Sequence, residues 1–155
     1  MYSILLSLHS TFRWIVLFTI AYALYRNYYG WFTKDIYTER DNFIRHSTAT
    51  IVHIQFLIGL CLYFISPIVN YFLHHFKEAI HERDLRFFGM EHSLMMLTSV
   101  ICITIGSMVS KRKSSDTEKF KTMAIWTSIG LLIILVNVPW PFSPFTANRP
   151  YLRGF

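Results

Sequence analysis

Residues 3–25 read SILLSLHSTFRWIVLFTIAYALY. An apolar run of about 20 residues is what a helix needs to cross the hydrocarbon core of a bilayer. The run carries His9 and Arg13 and is otherwise free of basic and acidic side chains. It has no basic segment ahead of it and no small-x-small cleavage site before the next loop, so it is read as a retained first span and not a cleaved signal peptide. Three more stretches of the same kind follow. Residues 47–69 include IVHIQFLIGLCLYFISPIV, residues 88–110 run through EHSLMMLTSVICITIGSMVS, and residues 122–138 run through AIWTSIGLLIILVNV. The fourth stops at Pro139-Trp140-Pro141, because proline lacks the N–H that continues a helix. None alternates with period two, as barrel strands do. Inside lipid each backbone polar group must be satisfied within its own segment, so all four are predicted as helices. The predicted fold is all-α: one domain over residues 1–155, a four-helix transmembrane bundle running up-down-up-down.

Composition agrees with that solvent. Of 155 residues 53% are hydrophobic and 15% charged, against about 25% charged in soluble domains. Disordered chains are poor in apolar residues, which excludes that class. Two cysteines cannot staple a disulfide scaffold of this length. Cys61 and Cys102, both mid-span, read as small apolar residues. No Walker loop, HExxH, CxxCH or GxSxG occurs, so hydrolase, NTPase and c-type haem readings have no support.

Orientation follows from lysine and arginine. The loops after spans 1 and 3 hold Arg26, Lys34, Arg40, Arg45, Lys111, Arg112, Lys113, Lys119 and Lys121. The other side holds Lys77, Arg83, Arg86, Arg149 and Arg153. Nine against five puts the first set in the cytoplasm and both termini outside. Anionic lipid at that surface accounts for much of the net charge of +6, and no nucleic-acid partner is needed.

Ionisable residues inside a span are costly and mark function by default. Here they are His9, Arg13, His53 and His92, with Glu91 at the mouth of span 3. His46, His74, His75 and His81 read as solvated loop residues. At 1.5 Å per residue, His9 and His92 lie roughly 10 Å and 9 Å from the middles of their spans, both on the outer side. His53 lies roughly 9 Å from the middle of span 2, on the opposite side. Spans 1 and 3 are diagonal in an up-down bundle, so His9 and His92 could ligate one haem iron from its two faces. Arg13, one turn below His9, would meet the haem propionates or Glu91. The same residues also fit a cofactor-free polar cluster, or a metal-ion or quinone site. A second haem would need His53 with Met123, since fourteen residues beyond His92 stands Gly106 and fourteen beyond His9 stands Ala23. His53, Gln55 and Glu91 form the candidate second polar site. Met90, Met95, Met96 and Met108 read as packing, and Gly59, Gly106 and Gly130 as close helix contacts.

HSTFRW in span 1, HIQFLIGLCLYFISP in span 2, RFFGMEH opening span 3, and PWPF followed by NRPYLRGF carry a resemblance. Over nearly the whole chain they resemble a group of small bacterial four-helix membrane proteins often labelled cytochrome b. More distantly, the order H-x-x-x-R, Q-x-x-x-G-L and a histidine opening the next span is similar to one half of a haem A synthase and to four-helix membrane cytochromes b. The resemblance implies haem b held by His9 and His92, Gln55 as a polar neighbour, and a multi-pass place in the bacterial cytoplasmic membrane. It further implies electron transfer with a respiratory or quinone-linked membrane subunit. The competing expectation is a cofactor-free accessory subunit of a larger membrane complex.

Overall fold

The computed structural model describes residues 1–142. The NRPYLRGF end of the resemblance, with Arg149 and Arg153, lies outside the described residues. Four helices in it are long and apolar enough to cross a membrane: α1 (Tyr2–Thr33), α2 (Glu39–Ile65), the helical run Arg83–Lys111, and α7 (Asp116–Asn137). Between the second and third lie two short helices, α3 (Pro67–His74) and α4 (Phe76–Ala79). The third run is composed of α5 (Arg83–Arg86), one π-helical turn over Phe87–Glu91, and α6 (His92–Lys111). α1 packs on α2 and α7, and α6 packs on the same two helices, which closes a ring of four with α1 and α6 on one diagonal.

The helices are longer than the apolar stretches that predicted them. α1 continues to Thr33 and stops where Lys34 turns left-handed (φ 54°) and returns its N–H to the Gly30 carbonyl. Its extra turns are held by polar partners: Arg26 meets Asp41 and Asp35, and the Tyr28 hydroxyl meets Ser128 Oγ at 2.9 Å. α2 begins at Glu39, where the Asp41 carboxylate accepts the Thr38 N–H at 2.9 Å and the Thr38 hydroxyl at 2.8 Å. That contact satisfies one of the donors left bare at a helix start. α2 ends at Ile65 because Pro67 pushes Ser66 out of the helical region (ψ 125°). Ser66 Oγ then accepts from Val69 N and starts α3.

The interior mixes an apolar cluster (Val16, Ile20, Val52, Ile103, Ile134, Val138) with small polar residues, while large apolar side chains cover the surface. Only 22–33% of each apolar window is buried. Phe18, Phe64 and Leu132 are exposed, whereas Ser7, Ser10, Asn27, Thr48, Ser99, Ser107, Ser110 and Thr127 are buried. Lipid tails are as apolar as leucine, so helices in a bilayer associate through small residues and hydrogen bonds. The chain is therefore a multi-pass membrane protein in its lengths, its surface and its interior.

α6 and α7 meet most extensively, through glycine. A Cβ on Gly106 would collide with Trp126 Cβ, and one on Gly130 would lie 2.6 Å from Ile103 Cγ1. Ser99 Oγ donates to the Gly130 carbonyl at 2.9 Å. Trp126 Cβ sits next to backbone and has no rotamer escape, so Gly106→Val is expected to cost about 1–3 kcal/mol. A lowered thermal midpoint in detergent is the readout, and an unchanged one would mean the two helices are not in such close contact.

Candidate functional site

His9 on α1 and His92 at the start of α6 come together across the diagonal. Their ring centroids are 6.4 Å apart and the rings stand at 76°. Both line a cavity of about 480 Å³, whose walls are mostly apolar side chains of α1, α2, α3 and α6, with the end of α7. That volume is in the range of cofactor and ligand sites, about 300–1,000 Å³.

The proton positions on both rings follow from their neighbours. His92 Nδ1 lies 2.9 Å from the Asn137 carbonyl oxygen, which can only accept. His92 Nδ1 therefore carries the hydrogen, and Nε2 keeps its lone pair. The local sequence explains why that carbonyl is available. In a continuing helix the carbonyls of Leu135 and Asn137 would accept from the N–H groups of residues 139 and 141, but both are proline. The Leu135 carbonyl takes the Trp140 indole N–H at 2.8 Å instead, and the Asn137 carbonyl takes His92.

His9 is held from α2. The Gln55 amide nitrogen donates to the His9 carbonyl at 3.0 Å and lies 3.4 Å from His9 Nε2. An amide N–H aimed at Nε2 leaves the ring hydrogen on Nδ1. His9 Nδ1 and Gln55 Oε1 are buried with no hydrogen-bond partner among the described residues. A Cβ on Gly59 would stand 3.0 Å from His9 Cε1, so glycine there gives the ring its place against α2.

The rings of His9 and His92 thus belong to one cavity. The His92 Nε2 lone pair has no protein donor among the described residues, whereas that of His9 meets the Gln55 amide N–H and would have to give it up to ligate a metal. A metal–nitrogen bond is about 2.0–2.1 Å and a ring nitrogen lies roughly 1.2 Å from its centroid, so two imidazoles sharing one metal stand roughly 6.4 Å apart. The observed 6.4 Å spacing matches. Donating the second ring N–H to a backbone carbonyl, as His92 does, is also the usual arrangement of a ligating histidine. The residues present fit a haem in ring spacing, apolar lining and the tautomer of His92.

The other residues singled out in the sequence go elsewhere. Arg13 lies beside the cavity with its guanidinium 5.4 Å from the Trp14 ring and 5.7 Å from the Trp140 ring. Glu91 does not meet Arg13 but accepts from Arg86 Nε at 2.7 Å, across the π-helical turn. His53, on the exposed side of α2, pairs with Thr104 Oγ1 at 2.8 Å. The Thr104 hydroxyl spends its hydrogen on the Val100 carbonyl, so His53 is the donor in that pair. His53, Gln55 and Glu91 are therefore not brought to one place; Gln55 joins His9 and His92. Met123 is fully buried. No group of three or more His, Cys, Asp or Glu able to hold a bare metal ion occurs among the described residues.

No family model, curated protein or solved structure matches this chain. Its function must be argued from the geometry. Residue reasoning missed the Asn137 carbonyl and the Trp140 indole. The sequence signal for both was present in Asn137-Val138-Pro139-Trp140-Pro141, whose prolines withdraw the donors those carbonyls would otherwise use.

Proposed function

We propose that the chain is an integral membrane haem b protein that carries electrons, with His9 and His92 as the two axial ligands. The reading includes an up-down-up-down bundle in the bacterial cytoplasmic membrane, with both termini outside and a respiratory or quinone-linked subunit as partner. The observation that carries it is the pair of imidazole rings lining one largely apolar cavity, with their centroids at the spacing of two imidazoles that share a metal. The distribution of lysine and arginine supports the orientation, and the resemblance supports the membrane and the partner.

Bound haem b supplies reversible one-electron iron chemistry. The protein's share is orientation and dielectric. The Asn137 carbonyl holds the His92 ring and raises its basicity. Gly59 and Gln55 hold the ring of His9. The apolar walls keep water away, which tunes the potential. Arg13, a fixed cation at the cavity wall, is suited to a carboxylate such as a propionate.

The test is a pyridine haemochrome assay with reduced-minus-oxidised spectra on purified protein expressed with ample haem. About one haem b per chain is expected, and a colourless protein would overturn the reading. A second reading, a cofactor-free accessory subunit, draws on the fact that the rings of His9 and His92 already meet edge to face while Gln55 ties α1 to α2. It requires a colourless protein that brings a stoichiometric membrane partner through mild detergent. A quinone or metal ion at the same histidines is separated from both by quinone extraction and elemental analysis.

A further inference from the structure

The opposite end of the bundle carries a second cavity, and the charge around it is unbalanced. A groove of about 300 Å³ lies between the end of α6 and the first turns of α7. Lys113, Glu118 and Lys121 line its rim, and Val109, Ile125 and Trp126 its wall. Most acids at this end are already used. Asp41 and Asp35 take Arg26, and Asp116 takes Lys119. Lys111, Arg112, Lys113 and Lys121 enter no ion pair among the described residues, and Glu118 enters none either. Lys113 is half-buried despite that. The Lys121 ammonium is held 5.5 Å from the Trp31 ring, which places it and leaves its charge uncompensated.

We infer that this groove binds the headgroup of an anionic diacyl phospholipid, its phosphate between Lys113 and Lys121 and its glycerol and first methylenes along Trp126 and Ile125. Three features select a lipid over a soluble anion. The lysines stand where two helices of membrane-spanning length end, and on the membrane reading such helix ends meet the lipid headgroups. The wall below them is apolar and continues into the exposed Met108 and Ile105 of α6, a surface that suits acyl chain. Indole at the glycerol level, apolar on its body and polar at its N–H, is a usual interfacial anchor. Glu118 on the rim disfavours a second phosphate charge and leaves a monoanionic phosphodiester as the better match. The inference rests on the membrane reading and is independent of haem.

Native mass spectrometry of the full chain, released from nanodiscs of equal parts phosphatidylglycerol and phosphatidylcholine, tests it. The wild type is expected to retain one phosphatidylglycerol in clear preference to phosphatidylcholine. Each lysine at an anionic surface counts for about fivefold, so Lys113→Gln with Lys121→Gln should weaken that retention by about 30-fold. Lys34→Gln with Arg40→Gln, at the same end but away from the groove, should leave it unchanged. Lys113→Arg with Lys121→Arg should restore it. Equal retention of the two lipids by the wild type overturns the inference without reference to any variant. So does an equal loss in the Lys34 and Arg40 variant, which would mark diffuse surface attraction. Displacement of the lipid by millimolar inorganic phosphate would mark a free-phosphate site and overturn the lipid assignment.

Discussion

His92→Ala is expected to yield a protein that inserts and purifies but holds less than a tenth of the wild-type haem. Losing an outer hydrogen-bond partner of a metal ligand costs about 10–100-fold in affinity, and losing the ligand itself should cost at least that. His9→Ala should behave alike, since the two rings share one cavity. His53→Ala is the internal control: its ring bonds Thr104 on the exposed side of α2, so haem content should not change. Replacing both Pro139 and Pro141 by alanine probes the finer point. The helix could then reclaim the carbonyls of Leu135 and Asn137, and His92 would lose its acceptor. A less basic imidazole stabilises ferric iron less, so haem should remain while its midpoint potential rises. Optical redox titration reads this. A wild-type spectrum in His92→Ala would remove the haem proposal. An unmoved potential in the proline variant would remove the role given to Asn137.

Asp41→Ala should be the most destabilising polar substitution at the other end. Asp41 is buried at 4% exposure. Its oxygens accept Arg26 Nε at 2.6 Å and Nη2 at 3.1 Å, together with the Thr38 N–H and hydroxyl. Removing one partner of a fully buried pair costs about 3–5 kcal/mol, because the other charge stays behind uncompensated; Arg26 is only half-buried, so water takes up part of that cost here. The Asp35 carboxylate, 2.9 Å from Arg26 Nη1, keeps part of that charge matched and moves the expectation to the lower end of the range. Asp41→Asn keeps an acceptor for the helix start and should lose less. Equilibrium unfolding in mixed micelles measures both. Equal losses in the two variants would mean that the charge carries the effect and helix capping does not; no loss in either would show the ion pair to be dispensable.

The reading of four helices came from a property that adds residue by residue. Apolar length and the scarcity of charge are local, and lipid accepts only closed backbone hydrogen bonding, so the stretches at 3–25, 47–69, 88–110 and 122–138 translate into helices without knowledge of any contact. Depth was legible for the same reason. A fixed rise per residue placed His9 and His92 at one level before any packing was known, and their rings do meet. Helix ends were less legible, because α1 and α2 run past their apolar stretches on polar contacts between helices, such as Arg26 with Asp41.

Partner choice was the part that only tertiary structure decided. Glu91 was one of two partners the sequence offered Arg13, beside haem propionates, yet the π-helical turn gives Glu91 to Arg86 and the stop after α7 sets Trp140 beside Arg13. Gln55 and His53 are two residues apart on α2 and go to different helices, since successive positions on a helix point about 100° apart. Chain composition determines the solvent and the level of each residue along the membrane normal. Rotation of each helix about its axis determines which side chains touch, and that rotation is set by what the neighbouring helices offer: a glycine at 59 for the His9 ring, and a carbonyl at 137 left without its helical donor for His92.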